Sequence, residues 1–364
     1  MFNVQHQAVD QIPADWVAVS DYQRAAQVRL PADVWAYLQG GCERGSTAPN
    51  PLGQYQLLPR PLRDLHGGHT RLELFGQTLA HPFLLAPVAY QRLFHPAGEY
   101  ATVLAAQVSQ TPMIVSHLAS MPLQQIAQHH QQQHCWFQLY WQGCRAQIKA
   151  QLEQIQQAGY QAIVLTVDAP HMGVRDRERR AGFRLPAEIQ AVNLLAQPMP
   201  SLDSAQHALF DGLMAQAPTW ADVAWLVQQT DLPVLLKGIL HPDDARQAVS
   251  LGVQGLVVSN HGGRVIDGVV DSLRMLPSIR AAIPAEIPIL FDGGIRCGAD
   301  AFKALALGAT ALMIGRPYVY GLAAAGALGV AHVIKLLREE LEVTMALCGT
   351  ARLNEINADY LIKP

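Results

Sequence analysis

The chain reads as an α/β protein whose strands run parallel, alternate with helices and close into a (β/α)₈ barrel, the TIM-barrel architecture. Length, composition and a recurring pattern carry that reading. At 364 residues the chain exceeds the usual size of one domain, but α/β barrels of this size commonly form a single unit. Half of the residues are hydrophobic and 15% are charged, enough apolar material for a large core. From Pro82 onward, short apolar runs alternate about eight times with segments of helical period.

The strand candidates are "PFLLAPVAY" (82–90), "PMIVSH" (112–117), "CWFQLYW" (135–141), "AIVLTVDAP" (162–170), "PVLLKGI" (233–239), "GLVVSNHG" (255–262), "IPILFDGG" (287–294) and "ALMIGRP" (311–317). Their apolar character is continuous, which marks strands buried on both faces. Helical stretches such as "CRAQIKAQLEQIQQAGY", "PDDARQAVSLG" and "GADAFKALALG" lie between them, several ending at the glycine expected just past a helix. A doubly wound open sheet is the rival, but "APVAYQRLFHPAG" after the first strand lacks the glycine pattern of a dinucleotide fold. Residues 1–81 form an expected helical extension packed on the barrel of 82–364; within it "DYQRAAQVRLPADVWAYLQGG" reads as one or two short helices stopped by Gly40 and Gly41. The connection Asp176–Pro218 is long for a compact domain and reads either as a lid over the barrel mouth or as a disordered insertion.

A formal net charge of −3 provides no basic field for nucleic acid or for a membrane surface, so a small-molecule partner is expected. The five cysteines, Cys42, Cys135, Cys144, Cys297 and Cys348, are scattered without a CxxC pair, arguing against a disulfide framework and a zinc site; no metal is expected. With no secretory leader pattern and no uninterrupted apolar run of about 18 residues, the expectation is a cytoplasmic protein.

Polar residues fall where a barrel builds its site, at the C-terminal ends of strands. They are Ser116 and His117; Gln138 and Tyr140; Thr166 and Asp168; Lys237; Ser259, Asn260, His261 and Arg264; Asp292; and Arg316. Singly, each has a structural explanation, as a cap or as a satisfied core group. Converging on one rim, a lysine, a histidine, two arginines and two aspartates need a ligand to balance them. "FDGGIRCG" and "MIGRP" follow the seventh and eighth strands, where barrels commonly bind phosphate through backbone N–H groups; Arg296 and Arg316 would add charge-assisted bonds.

The blocks "LPADVWAYLQGG", "FQLYW", "LTVDAP", "VLLKGI", "VVSNHGGR", "LFDGGIRCGADAFKALALGA" and "MIGRP" resemble the FMN-dependent 2-hydroxy acid oxidase and dehydrogenase family, in order from about Asp21 to Ile356. "APVAYQRLFHPAGEY" further resembles the hydroxymandelate oxidase branch. The resemblance implies FMN at the barrel mouth, its ring against Pro87, Val88 and Ala89 and its edge bonded by Ser116, Gln138 and Thr166. Lys237 would stabilise negative charge on the reduced ring, and Ser259 would also bind the cofactor; Asp292 would hold the ribityl chain, and Gly293, Gly294, Arg296, Gly315 and Arg316 the phosphate.

By the same resemblance, His261 would be the base that takes the substrate hydroxyl proton, with Asp168 stabilising the imidazolium. Arg175 and Arg264 would clamp the substrate carboxylate, Tyr37 would bond it, and Tyr140 would bond the substrate oxygen. Where glycolate oxidase has tryptophan and methionine, this chain has Leu118 and Tyr90, and Val174 precedes the clamp arginine in place of a second arginine. These departures open room and add an aromatic wall, which suits an aryl or larger aliphatic 2-hydroxy acid of the lactate or mandelate type. The implied reaction gives the 2-oxo acid, with O₂ as acceptor forming hydrogen peroxide; transfer of electrons to a quinone or carrier is the alternative. The resemblance also implies a homotetramer.

Overall fold

A computed structural model of the chain describes residues 11–41, 51–130, 135–195 and 207–362. Its centre is a closed barrel of eight parallel strands, in sequential order: β1 Phe83–Leu85, β2 Met113–Ser116, β3 Cys135–Tyr140, β4 Ile163–Thr166, β5 Val234–Lys237, β6 Gly255–Val258, β7 Ile289–Asp292 and β8 Ala311–Ile314. All eight expected strands are present, and the (β/α)₈ barrel is the fold. Each is shorter than its apolar run, because the run continues into the loop that leaves the sheet. β1 ends at Leu85; beyond it Pro87 has no N–H to donate, and Tyr90 adopts a left-handed φ of 53°.

Register places the functional ends level. Ser116 pairs with Gln138, Tyr140 with Thr166, and Thr166 with Lys237. Inward-facing Leu84, Ile114, Trp136, Val164, Leu235, Val257, Leu290 and Met313 fill the lumen, while Phe83, Val115, Phe137, Leu165, Leu236, Val258 and Phe291 join the outer core under the helices. This is the two-sided burial that the continuous apolar runs require.

The N-terminal segment contains two helices, α1 Val19–Arg29 and α2 Ala32–Gln39. Asp21 accepts from the Val17 and Ala18 amides, capping α1, and Tyr22 bonds His332 at 2.6 Å, tying the extension to the last helix of the barrel. Pro31 fixes the start of α2, and Gly40 ends it at the barrel mouth. The helical reading of residues 1–81 missed a hairpin, Leu72–Leu74 with Gln77–Leu79, whose two-residue turn Phe75–Gly76 has positive φ at both positions. Leu74, Leu79 and Phe75 close the N-terminal end of the lumen against Trp136.

Arg316–Cys348 is two helices joined at Ala325–Gly326, where the backbone leaves helical geometry. A side chain at Gly321 would meet the Gly329 carbonyl at 2.5 Å, so glycine is what lets the two halves approach. Among the described residues this is the one helix long and apolar enough to cross a membrane, and 61% of its most apolar window is buried inside the protein, as in a core helix. Of the cysteines, Cys42 lies outside the described residues and the other four are free thiols; no group of metal-ligating side chains occurs among the described residues.

After β4 the chain forms a short helix, Asp176–Arg180, and continues in turns to Leu195. Asn193 fastens this stretch to the loop after β2: its Oδ1 accepts from the Leu123 amide at 2.8 Å and its Nδ2 donates to the Met121 carbonyl at 3.0 Å. Residues 196–206 lie outside the described residues, and the chain re-enters as a helical turn, Ala208–Leu213. Both flanks of this connection line the barrel mouth.

Candidate active site

The C-terminal ends of the strands surround a cavity of about 1100 Å³. Tyr37, Pro87, Val88, Ala89, Tyr90, Ser116, Leu118, Gln138, Tyr140, Thr166, Arg175, Lys237, His261, Arg264, Asp292, Gly293, Gly294, Arg296, Gly315 and Arg316 all line it. Two expected site residues stand behind the wall. Asp168 holds the His261 ring, and Ser259, fully buried, accepts from Lys237 Nζ at 2.9 Å while taking the His261 amide at 3.0 Å.

His261 has a left-handed φ of 57°, unusual for a side chain with a Cβ, and Gly262 and Gly263 continue the bend with φ of 64° and 73°. The bend turns the imidazole toward the cavity and its Nδ1 toward Asp168 Oδ1, 3.0 Å away. A carboxylate accepts only, so Nδ1 carries the hydrogen and Nε2 is left as the acceptor. Gly238, at φ 104°, permits this pair: a Cβ there would fall 2.4 Å from Asp168 Cβ.

Burial, and then the Lys237 cation, hold the His261 pKa below its ordinary 6.5, against the opposing pull of Asp168. For Asp168, burial opposes ionisation, but Lys237 and the hydrogen bond from His261 outweigh it and keep the carboxyl below its usual range. Burial likewise opposes the Lys237 charge, yet Asp292 and Asp168 prevail and raise its pKa; Lys237 Nζ lies 3.3 Å from Asp292 Oδ2. Near neutral pH the site therefore holds a neutral imidazole with an acceptor nitrogen, beside a lysine fixed as a cation between two carboxylates. Burial also raises the Tyr140 and Tyr37 phenols, which remain O–H donors.

Two arginines, Arg175 and Arg264, line the same cavity as the histidine. Arg264 Nη1 donates to the Tyr37 and Gly40 carbonyls at 2.8 and 2.7 Å, and its guanidinium sits 5.1 Å from the centre of the Tyr37 ring. The end of α2 thus completes a site whose other parts come from the barrel. Tyr37 is itself stacked on Phe183 at 4.6 Å. Arg264 Nη2 reaches Glu178 Oε1 at 3.1 Å, and Arg175 Nη1 reaches the same oxygen at 3.3 Å. Glu178 and Phe183 were not anticipated: "RDRERR" looks like a solvated charge run, and only the fold shows that its glutamate turns inward.

The Gly298 amide that begins one helix donates to Glu340 Oε2 at 2.7 Å, whereas Gly293 and Gly294, with φ of 118° and 78°, line the cavity with Arg296 and with Gly315 and Arg316 at the N-terminal end of the helix Arg316–Cys348. Arg316 Nη2 donates to the Gly262 carbonyl at 3.0 Å, linking this end to the histidine loop.

Residues 26–363 match the model of the FMN-dependent dehydrogenase family. The chain belongs to that family. Among its relatives, an L-lactate oxidase of Alicycliphilus denitrificans is 48% identical over 355 residues, 96% of this chain and 97% of that protein. A 4-hydroxymandelate oxidase of Amycolatopsis orientalis is 42% identical over 346 residues, 92% of this chain and 95% of that one. A solved mandelate oxidase with (S)-2-phenylpropionate superposes with a TM-score of 0.86 at 40% identity, covering 95% of this chain and 98% of that one. As a member of the FMN-dependent dehydrogenase family, the chain is a flavin enzyme, and FMN is its cofactor.

Proposed function

We propose that the protein oxidises (S)-2-hydroxy acids of the lactate or mandelate type to 2-oxo acids and passes the electrons to O₂, forming hydrogen peroxide. The observation that carries the reading is that a neutral Asp168-backed His261 and the arginine pair Arg175–Arg264 line one cavity. A 2-hydroxy acid has the matching chemistry, a hydroxyl to deprotonate beside a carboxylate to clamp.

The residues present fit FMN. Gln138 Oε1 accepts from the Ser116 hydroxyl and the His117 amide, which leaves its buried Nε2 without a partner among the described residues; Asp292 Oδ1 is likewise buried and unpartnered. Both are polar atoms that a bound polar group would satisfy. Gln138, Ser116, Thr166 and Asp292 would bond the ring edge and ribityl chain, Lys237 would supply a fixed cation, and Gly293, Gly294, Arg296, Gly315 and Arg316 would hold the phosphate at the N-terminus of the helix Arg316–Cys348. When bound, FMN supplies the two-electron acceptor that takes the α-hydrogen as hydride and returns the electrons to O₂.

His261 Nε2 takes the hydroxyl proton as the carbonyl forms. Asp168, ionised and hydrogen-bonded to Nδ1, stabilises the imidazolium that results. Arg175 and Arg264 hold the carboxylate, with Tyr37 and Tyr140 donating to the substrate oxygens. Tyr90, Leu118, Val174 and Leu194 provide a largely apolar wall for the side chain. The described flanks of 176–218, which line the mouth, support a lid.

Because the base must be neutral, kcat/KM is expected to be level above pH 6.5 and to fall below it, with an apparent pKa under that ordinary value. An acid limb centred above 6.5 in the pH profile would remove His261 from the role. The reaction itself is tested by turnover in air with S-lactate and S-mandelate: the expected result is one hydrogen peroxide per 2-oxo acid. 2-Oxo acid formation that requires an added quinone or dye, without peroxide, would replace O₂ by another acceptor.

A further inference from the structure

The clamp contains a third member that the reaction does not use. Glu178 is buried, and its Oε1 lies within 3.3 Å of both Arg175 and Arg264. It is held from the other side by the end of α2: a Cβ at Gly40 would stand 3.2 Å from both Glu178 Cγ and Oε1, and Gly40's carbonyl accepts from the same Arg264. The backbone carbonyl of Glu178 accepts from the Phe183 amide, and Phe183 stacks on Tyr37. One carboxylate therefore aims both guanidinium groups and locks them to the helix that follows β4.

Its charge matters as much as its position. Two guanidinium charges against one carboxylate leave a single net positive charge at the clamp. Lys237 adds no free cation, since Asp292 and Asp168 already surround it. Of the cations of the helix Asp176–Arg180, Arg179 lines the cavity and is exposed, where solvent weakens its hold on an anion, and the other two arginines of the lining, Arg296 and Arg316, are the ones assigned to the cofactor's phosphate. The walls at Tyr90, Leu118 and Leu194 carry no charge. Arg175 Nε is buried without a partner among the described residues, a donor left for the incoming ligand.

We propose that Glu178 is a positioning residue of the carboxylate clamp that limits its charge, so that the site accepts acids with one carboxylate and rejects those with a second. The inference rests on the proposed carboxylate clamp. Once the first carboxylate has taken the clamp's net charge, a second would enter a low-dielectric cavity with Glu178, Asp168 and Asp292 nearby and, among the described residues of the clamp, no further unmatched cation, and a like charge so placed is strongly disfavoured.

The test is calorimetric titration of the FMN-loaded protein with butyrate and with succinate, acids of equal chain length that carry no hydroxyl to oxidise. Wild type should bind butyrate at least about ten-fold more tightly than succinate, Glu178→Gln should lose most of that ratio, and Glu178→Asp, which keeps the charge, should restore it. Wild type binding succinate as tightly as butyrate overturns the proposal, whatever the variants do. So does Glu178→Gln with the wild-type ratio, or Glu178→Asp losing the ratio as Gln does. If lactate or mandelate still bleaches the flavin in any of those cases, the function stands and only the role of Glu178 fails. Wild type that binds neither acid removes the clamp, and with it both readings.

Discussion

Replacing His261 with alanine is expected to lower the rate of flavin reduction by a 2-hydroxy acid about a thousand-fold, while the yellow cofactor stays bound. The His261 imidazole combines neutrality near pH 7 with an acceptor nitrogen and is oriented by a buried carboxylate. Its Nδ1 is committed to Asp168, so its Nε2 is available for the proton. Lys237 cannot substitute, being held as a cation by two carboxylates. None of the groups assigned to the ribityl chain or phosphate belongs to this ring, so FMN content should match wild type. The readouts are rapid-mixing absorbance and the flavin-to-protein ratio. A variant reduced at the wild-type rate would show that the base lies elsewhere.

Arg264→Lys is expected to cost about a hundred-fold in kcat/KM, despite conserving charge. The guanidinium spans groups that an ammonium cannot reach together: two carbonyls at the end of α2, Glu178 on the next element, and the face of Tyr37. A lysine would keep a point charge but lose the planar fork, the stacking and the link between α2 and the barrel. The loss should therefore appear both in substrate affinity and in the limiting rate of reduction. An unchanged kcat/KM across lactate and mandelate would place the clamp elsewhere.

The barrel was legible because its strands are buried on both faces, which writes eight continuous apolar runs into the chain. Site residues at strand ends were legible for the same reason, since a polar side chain such as Lys237 or Asp292 closing such a run stands out. Strand ends were less so: β1's run continues through Ala86–Tyr90 because those residues, beyond the strand's last residue, line the cavity. The hairpin at 72–79 is two three-residue strands, too short for alternation to register. Glu178 was hidden by its neighbours, and its inward turn depends on Arg264, 86 positions away. Tyr37 could be placed only by resemblance, because nothing local in α2 indicates that its end will cap a barrel mouth.

The central claim is that one cavity joins a base to a carboxylate clamp beside FMN. It is tested most directly by mixing the purified holoprotein anaerobically with S-lactate and with S-mandelate, then admitting air. The account predicts rapid bleaching of the flavin with at least one acid, at a rate that saturates with its concentration, and rapid return of the colour with O₂. Flavin that stays oxidised with both acids, in a protein carrying its full complement of FMN, would contradict it.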